Sequence, residues 1–543
     1  MGKVLSVVMM AAVACPAMVW AQSAGADSEL ARQVAALVSQ PEVVRAHWGI
    51  DVTALDGTPI YSMNEGQYFQ PASNTKLFTT AAVMALLRGG TTFETRVLGR
   101  GVFTGAVSLK GDVVIVGDGD ANLSGRTVPY VMPKDRPKVD PSAPLVDPLR
   151  YLAAMADQVA ATGLKVVSGD VVGDDTVFPW EPYPSDWSID DMVWGYGAPV
   201  SGLTVNDNQL VVTVTPAKVA GEPATVTVEP ALPAYYTLDV SVMTGPAKGG
   251  GSVQMERAPG SKTLRIYGTI AADAGVDAEE VAIHDPAEYA AMAFKAMLEA
   301  RGVEVHGVAR AAHRIPNDAR GFLGQTRDLL TLNTSENAGY GRGRGASMSC
   351  DHCRQDAMPT VKELAKRTSP TLIEDVTVTN KVSQNLHAEL LLHQLGATVA
   401  GDGSTAQGAR VVRSFLTSVV GIDKDDFVFY DGSGLSGHDL VTPRATAKLL
   451  QFATTQPWFA DWKKSLPVAG EDGSLRARFP DAPLKDHVFA KTGTLGEARA
   501  LSGYVDCASG KTMIFSVMVT DHAPGSVDMK VMDKIVAAIA AAN

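Results

Sequence analysis

Apolar residues recur at helical spacing at Leu30, Val34, Leu37 and Val38 behind Ser28, a pattern that predicts an amphipathic helix with a serine N-cap. Two short runs, His47 to Thr53 and Pro59 to Met63, flank Asp56-Gly57 and predict a β-hairpin. A second helix is predicted from about Ser73 to Arg88, stopping at Gly89-Gly90. From about Phe93 to Val308 the texture changes to β-branched runs such as Asp112 to Val116, Val166 to Val172 and Leu210 to Val214, separated by Gly, Asp and Pro. One helical stretch, Ala287 to Arg301, closes that region. Helical spacing returns from about Asp318, with Asn385 to Leu395 ended by Gly396 and with Pro443 to Phe452. The chain finishes on strand Ala500 to Val505, turn Ala508-Ser509-Gly510, strand Thr512 to Val519 and a helix from Ser526.

An α/β segment, a long β-rich segment and a second α/β segment predict one discontinuous domain, residues 22–92 plus 312–543, carrying an insertion at 93–311 built as two nested subdomains. The 543-residue length exceeds what one hydrophobic core serves. No fixed-period repeat is visible. Two stretches read as surface loops: Arg126 to Leu145, rich in Pro and charge, and Ala338 to Met358, which contains a Gly-Arg-Gly-Arg-Gly run and two cysteines.

With 46% apolar and 20% charged residues the composition is that of a globular protein, and a net charge of −12 without a Lys/Arg cluster excludes a nucleic-acid binder. The first residues read as a secretory signal peptide, residues 1–21: Lys3 supplies the basic start, Val4 to Ala14 the apolar run and Val19-Trp20-Ala21 the cleavage site. Cys15 resembles a lipidation site only weakly, because Ala12 stands where a large aliphatic residue is usual and Pro16 follows. No later stretch has the roughly 18 uninterrupted apolar residues of a membrane helix, so a secreted or periplasmic protein without a transmembrane anchor is expected, at most loosely membrane-associated.

Candidate chemistry begins at Pro71-Ala72-Ser73-Asn74-Thr75-Lys76, where an apolar helix starts. Ser73 and Lys76 lie three apart and so share a helix face within hydrogen-bond reach. A serine hydroxyl needs a base, and a buried lysine with a lowered pKa can serve as one. Alone the signal is weak: Ser-x-x-Lys should occur about once or twice by chance in such a length, as an N-cap serine with a solvated lysine. Lys491-Thr492-Gly493-Thr494 contains the only Lys-Thr-Gly of the chain and follows the apolar run Val488-Phe489-Ala490, which places it on or beside a strand. There a cation and a hydroxyl can hold a carboxylate, and Gly493 permits close backbone approach of a bound peptide. Ser383-Gln384-Asn385 precedes the helix bearing Leu386, Leu390 and Leu391; taken alone it reads as a helix cap. Ser335-Glu336-Asn337 fits the same pattern but precedes a Gly/Arg-rich loop, so Ser383 is preferred.

Ser-x-x-Lys, Ser-x-Asn and Lys-Thr-Gly in this order match the motif set of penicillin-binding proteins and class A β-lactamases, with Gln384 in place of the usual Asp. Further stretches, Gly111 to Asp120, Trp194 to Ser201 with Asn206-Asp207-Asn208, and Tyr430 to Ser436, make the mature chain resemble the D-alanyl-D-alanine carboxypeptidase/endopeptidase family of class C low-molecular-mass penicillin-binding proteins over nearly its whole length. The resemblance implies a penicillin-binding serine hydrolase fold of the α/β (α+β) class, an antiparallel sheet flanked by helices with a large mostly β insertion. It implies that Ser73 attacks the D-Ala-D-Ala amide with Lys76 as base and that Ser383 relays a proton to the leaving amine. Asn385 would position the acyl part, Lys491 and Thr492 would bind the terminal carboxylate, and the amides of Ser73 and Thr494 would form the oxyanion hole. Peptidoglycan stem peptides and cross-links are the implied substrates, β-lactams the implied covalent inhibitors, and no cofactor or metal is implied. The loops at 126–145 and 338–358 look like extra length relative to that pattern. A serine β-lactamase and a non-catalytic peptidoglycan-binding scaffold are the alternatives; the large insertion speaks against the first, and intact Ser73, Lys76 and Lys491 against the second.

Other motifs carry less. Gly510-Lys511-Thr512 ends like a phosphate loop, yet Val505 stands where its first glycine belongs. Asp118, Asp120, Asn122 and Ser124 alternate like a calcium loop, but Leu123 and Pro129 occupy its glycine and glutamate positions, so a plain turn is expected. Cys350 and Cys353 lack a second ligand pair for zinc, and in an oxidising compartment a disulfide is the preferred reading; with Cys507 left over, the pairing stays open.

Overall fold

The computed structural model describes residues 28–138, 146–231, 233–332 and 360–543. The expected signal peptide with Cys15, the Ser335-Glu336-Asn337 motif, the 338–358 loop with Cys350 and Cys353, and residues 139–145 of the other loop lie outside them.

The strand Thr512–Thr520 pairs antiparallel with Ala498–Asp506 on one side and His47–Ala54 on the other. The sheet then extends through Val488–Leu495 at one edge and Pro59–Met63 at the other, giving five antiparallel strands among the described residues. Alternate residues of Thr512–Thr520 face opposite cores: Met513, Phe515 and Val517 pack with the terminal helices, Ile514 and Met518 with the helical cluster behind Ser73. Burial on both faces explains why this strand is an almost unbroken apolar run rather than an alternating one. The first terminal helix, Glu29–Val38, is capped by Ser28, whose side chain accepts from the Ala31 amide, and the last, Asp528–Ala542, packs beside it. The Asp56-Gly57 hairpin forms as expected, with Gly57 at φ 86°.

The β-rich stretch holds two three-stranded sheets and a larger mixed one, in which Glu94–Thr104 and Ser108–Val116 form an antiparallel pair and parallel partners follow. Thr360–Thr368 pairs with Glu94–Thr104 across a long separation in sequence. A helix that the pattern reading passed over, Arg150–Ala161, packs Leu152, Met155, Ala156 and Val159 into this region's core.

Helix ends also differ from expectation. The helix after Ser73 stops at Leu86, and the left-handed residue beyond it is Arg88 at φ 66°, ahead of the glycine pair. Gly396 does not end the Asn385–Leu395 helix: a wider turn, Gly396–Ala400, continues it to Gly401 at φ 77°. Gly396 serves packing instead, since a Cβ there would lie 2.7 Å from the Asp402 carbonyl oxygen and 2.8 Å from the Gly408 nitrogen. Among the described residues no helix is long and apolar enough to cross a membrane. Cys507 is buried and free.

Candidate active site

Ser73 sits in a tight turn, Ala72–Asn74, immediately ahead of the helix Thr75–Leu86. The turn is strained at Ala72, where φ is 46°, and it presents the serine to the same face as Lys76. The Lys76 ammonium is fully buried and donates to Ser73 Oγ at 2.9 Å, to Asn385 Oδ1 at 2.6 Å and to the Ser433 carbonyl at 2.7 Å. Burial lowers its pKa to about 8, against the opposing pull of Asp431, Glu389 and Asp439. A lysine in that range is a competent base near neutral pH.

Ser383 is not the helix cap. Gln384 takes that place by accepting from the Leu386 amide at 3.1 Å, and Ser383 adopts a left-handed backbone, φ 62°. Its hydroxyl accepts from Lys491 Nζ at 2.9 Å, and the same ammonium donates to the Thr492 carbonyl at 2.8 Å. Burial first, then the nearby Lys76 charge, hold the Lys491 pKa well below its usual value. The Asn385 amide completes its bonds by donating to the Tyr196 carbonyl at 2.9 Å.

Lys491 to Thr494 lie on the sheet's edge strand, Val488–Leu495. Asn74 joins this strand to the serine turn by donating to the Lys491 carbonyl at 3.2 Å. Gly493 serves that junction too: a Cβ there would meet the Pro71 carbonyl oxygen at 2.4 Å. Thr492 Oγ1 donates to Ser474 Oγ at 2.6 Å, and Thr494 is exposed beside them, paired with Arg499. The structure therefore brings Ser73, Lys76, Ser383, Asn385 and Lys491 to Thr494 into one site from three separate stretches of chain.

Residues that the motifs do not name support it. Asp431 accepts from the amides of Ser433, Gly434, Leu435 and Ser436 and from Trp187 Nε1, which shapes the loop whose Ser433 carbonyl holds Lys76. Glu389, fully buried, accepts from the Gly432 amide, and burial raises its pKa to about 8. Thr75 and Thr79 tie the same loop to the serine helix through Asp439 Oδ2 and the Gly432 carbonyl. Glu389 was findable as an acid four residues beyond Asn385 amid leucines; Ser474 carries no motif, and Tyr196 contributes through its backbone.

Gly434 marks the tightest approach: at φ 78°, a Cβ would fall 1.8 Å from the Ala72 carbonyl oxygen. Gly434→Ala is therefore expected to lower stability by at least about 2 kcal/mol and to slow acylation in the folded fraction. Urea unfolding and penicillin labelling check this, and unchanged values in both would show that the contact is not needed.

Asp118 to Ser124 are engaged within the protein. Asp120 pairs with Arg367, and Asn122 Nδ2 donates to Asp375 at 2.6 Å.

The family model described as "D-Ala-D-Ala carboxypeptidase 3 (S13) family" matches residues 30–323 and 342–542. The D-alanyl-D-alanine carboxypeptidase of Actinomadura sp. (strain R39) is 32% identical over 525 residues, covering 94% of this chain and 85% of that protein. The crystal structure of penicillin binding protein 4 (dacB) from Haemophilus influenzae superposes with a TM-score of 0.71 at 20% identity, over 92% of this chain and 97% of that one. A second structure of that protein, complexed with a β-lactam, gives a TM-score of 0.67 at 19% identity, over 93% and 97%. The fold is thus the penicillin-binding serine hydrolase arrangement of helices around sheets, and the chain belongs to the D-Ala-D-Ala carboxypeptidase 3 (S13) family as a serine carboxypeptidase/endopeptidase.

Proposed function

We propose that Ser73 is the nucleophile and Lys76 its base in the cleavage of peptides ending in D-Ala-D-Ala. The observation that carries this reading is the pair of buried ammonium groups, one on Ser73 Oγ and the other on Ser383 Oγ, each at 2.9 Å. Neutral Lys76 accepts the Ser73 proton as Oγ bonds to the amide carbonyl carbon, and the resulting oxyanion is met by the amides of Ser73 and Thr494. Ser383 relays to the nitrogen, as the C–N bond breaks, the proton that Lys76 took from Ser73, which returns Lys76 to its neutral form and leaves the Lys491 ammonium unchanged. Water then attacks the ester carbonyl carbon, neutral Lys76 takes its proton and hands it to Ser73 Oγ as the C–O bond breaks, so that the free acid, the serine hydroxyl and neutral Lys76 are regenerated. Asn385 holds the acyl side of the substrate, while Lys491 and Thr492 hold the carboxylate of the leaving residue. That carboxylate offsets the low pKa of Lys491, because an opposite charge favours the ammonium form.

β-Lactams acylate the same serine, but the cleaved ring stays attached and cannot diffuse away. The N-terminal pattern Lys3 to Ala21 supports export with cleavage after Ala21. Mostly separate buried clusters support the division into 22–92 plus 312–543 around an insertion at 93–311, with the strand Thr360–Thr368 joining the insertion's sheet and lending Leu364 and Ala365 to its core.

Lys491→Ala tests the substrate assignment. The rate on a peptide with a free terminal carboxylate is expected to fall about 30-fold or more, and that on its C-terminal amide far less, since a charge-assisted contact is lost only in the first. Equal losses on both peptides refute the carboxylate role. Mass spectrometry of a benzylpenicillin adduct, with D-alanine release measured alongside, tests the reaction itself.

A further inference from the structure

The segment 126–138 is fastened at both ends to the walls of the active site. Arg126 Nε donates to Asp207 Oδ2 at 2.6 Å, and Gln384 of the Ser383 motif lies 3.5 Å from the same oxygen. At the other end Lys134 pairs with Glu471 at 3.0 Å, in the loop that continues through Asp472 to Ser474, the partner of Thr492. Between these anchors the Tyr130 amide donates to Glu374, and the buried Lys381, paired with Asp472 at 2.7 Å, approaches the Tyr130 ring to 5.9 Å.

Under the segment lies a cavity of about 350 Å³ bounded by Arg126, Tyr130, Val131, Arg136, Val378 and Val382. Val382 directly precedes Ser383 in the chain. The cavity therefore adjoins the Ser383 motif, and the segment over it is tied through Lys134 and Glu471 to the loop that carries Ser474, the partner of Thr492. On the reading above, Ser383 and Thr492 mark the side from which the leaving residue departs.

A departing D-alanine carries, beside its amine, only a methyl group and the carboxylate proposed above for Lys491 and Thr492, and needs no further subsite. When the scissile amide is a cross-link, the leaving amine belongs to a second stem peptide, whose further chain and carboxylates must occupy space beyond Thr492. Valine and tyrosine surfaces with guanidinium groups at the rim suit such a chain, aliphatic with acidic ends.

We propose that the cavity between segment 126–138 and the helix Leu372–Lys381 is the subsite for the leaving strand of cross-linked peptides, and so favours endopeptidase over carboxypeptidase turnover. This rests on the Ser73 reading. The bonds made and broken are those already given, with the second peptide's amine taking the proton.

The test compares a cross-linked peptide dimer with a monomeric pentapeptide on Arg136→Glu and Val131→Trp, the first reversing the rim charge and the second filling the cavity. Each is expected to raise KM for the dimer about tenfold, as for loss of one charged or well-packed contact, with monomer turnover and benzylpenicillin acylation changed less than about twofold. Arg136→Lys, which keeps the charge, is expected to recover most dimer affinity. No preferential loss on the dimer, or an equal loss on dimer, monomer and drug, overturns the subsite and leaves the segment a structural brace. Failure of the Ser73 reading shows itself differently, as an unsubstituted enzyme that forms no serine adduct with the drug.

Discussion

Ser73→Ala is expected to abolish benzylpenicillin adduct formation and D-alanine release together, with the circular dichroism and thermal unfolding of the protein unchanged. Ser73 is half-buried at a turn and its hydroxyl has one protein partner among the described contacts, Lys76 Nζ, so its removal leaves no uncompensated core. Ser383 is not placed as a substitute nucleophile: its Oγ accepts from Lys491 Nζ, on the side of the site proposed for the leaving residue. Intact-mass measurement after drug treatment reads the first loss and an amino-acid assay the second. A folded Ser73→Ala protein that still forms an adduct places the nucleophile elsewhere and removes the basis of the proposed mechanism.

Lys76→Ala is expected to slow acylation by about 10²–10⁴-fold, the range associated with loss of a positioned general base. The loss carries a signature beyond its size. Burial lowers the Lys76 pKa to about 8, so the neutral, proton-accepting form grows as pH rises through that value. The unsubstituted enzyme should therefore acylate faster from pH 6.5 to 9, with a midpoint near about 8, and Lys76→Ala should flatten that limb. Stopped-flow or gel-based labelling across pH measures both. A limb that persists in the variant assigns the titration to another group, and a rate that falls as pH rises reverses the required charge state. Asn385 and the Ser433 carbonyl also hold this ammonium, so Lys76→Arg, which keeps a cation but supplies no accessible neutral form, should fail to restore acylation.

The sequence carried the juxtaposition of the candidate groups well because its signals are local. Ser73 and Lys76 are one helical turn apart, and that spacing alone brings them within reach whatever the rest of the fold does. Lys491 to Thr494 follow an apolar run that reads as on or beside a strand and lie on one, and the Ser28 cap and the Asp56-Gly57 hairpin are equally local. One local reading misplaced a glycine, and tertiary crowding adds a constraint at another. Gly396 looked like a helix stop but is small because Asp402 and Gly408 crowd it, and Gly493 is small because the Pro71 carbonyl approaches it. In both cases the crowding atoms belong to other stretches of chain, which no window of the sequence displays. The helix Arg150–Ala161 was legible at spacing Leu152, Met155, Ala156 and Val159, and was hidden only by the β-rich texture around it.

What the sequence by itself determined is the set of candidate reactive groups, the order of the elements and the periodicity that turns one face of each inward. The tertiary structure decided which carboxylates stand behind Lys76, that Ser383 is freed from capping by Gln384, and that the strand Thr360–Thr368 pairs with Glu94–Thr104. It also decided that the 126–138 segment bridges Asp207 to Glu471 beside the site. The physical reason is common to all of these: a lysine's pKa, a hydroxyl's partner and a strand's neighbour depend on burial and on charges from distant chain, and those exist only once the chain has closed on itself.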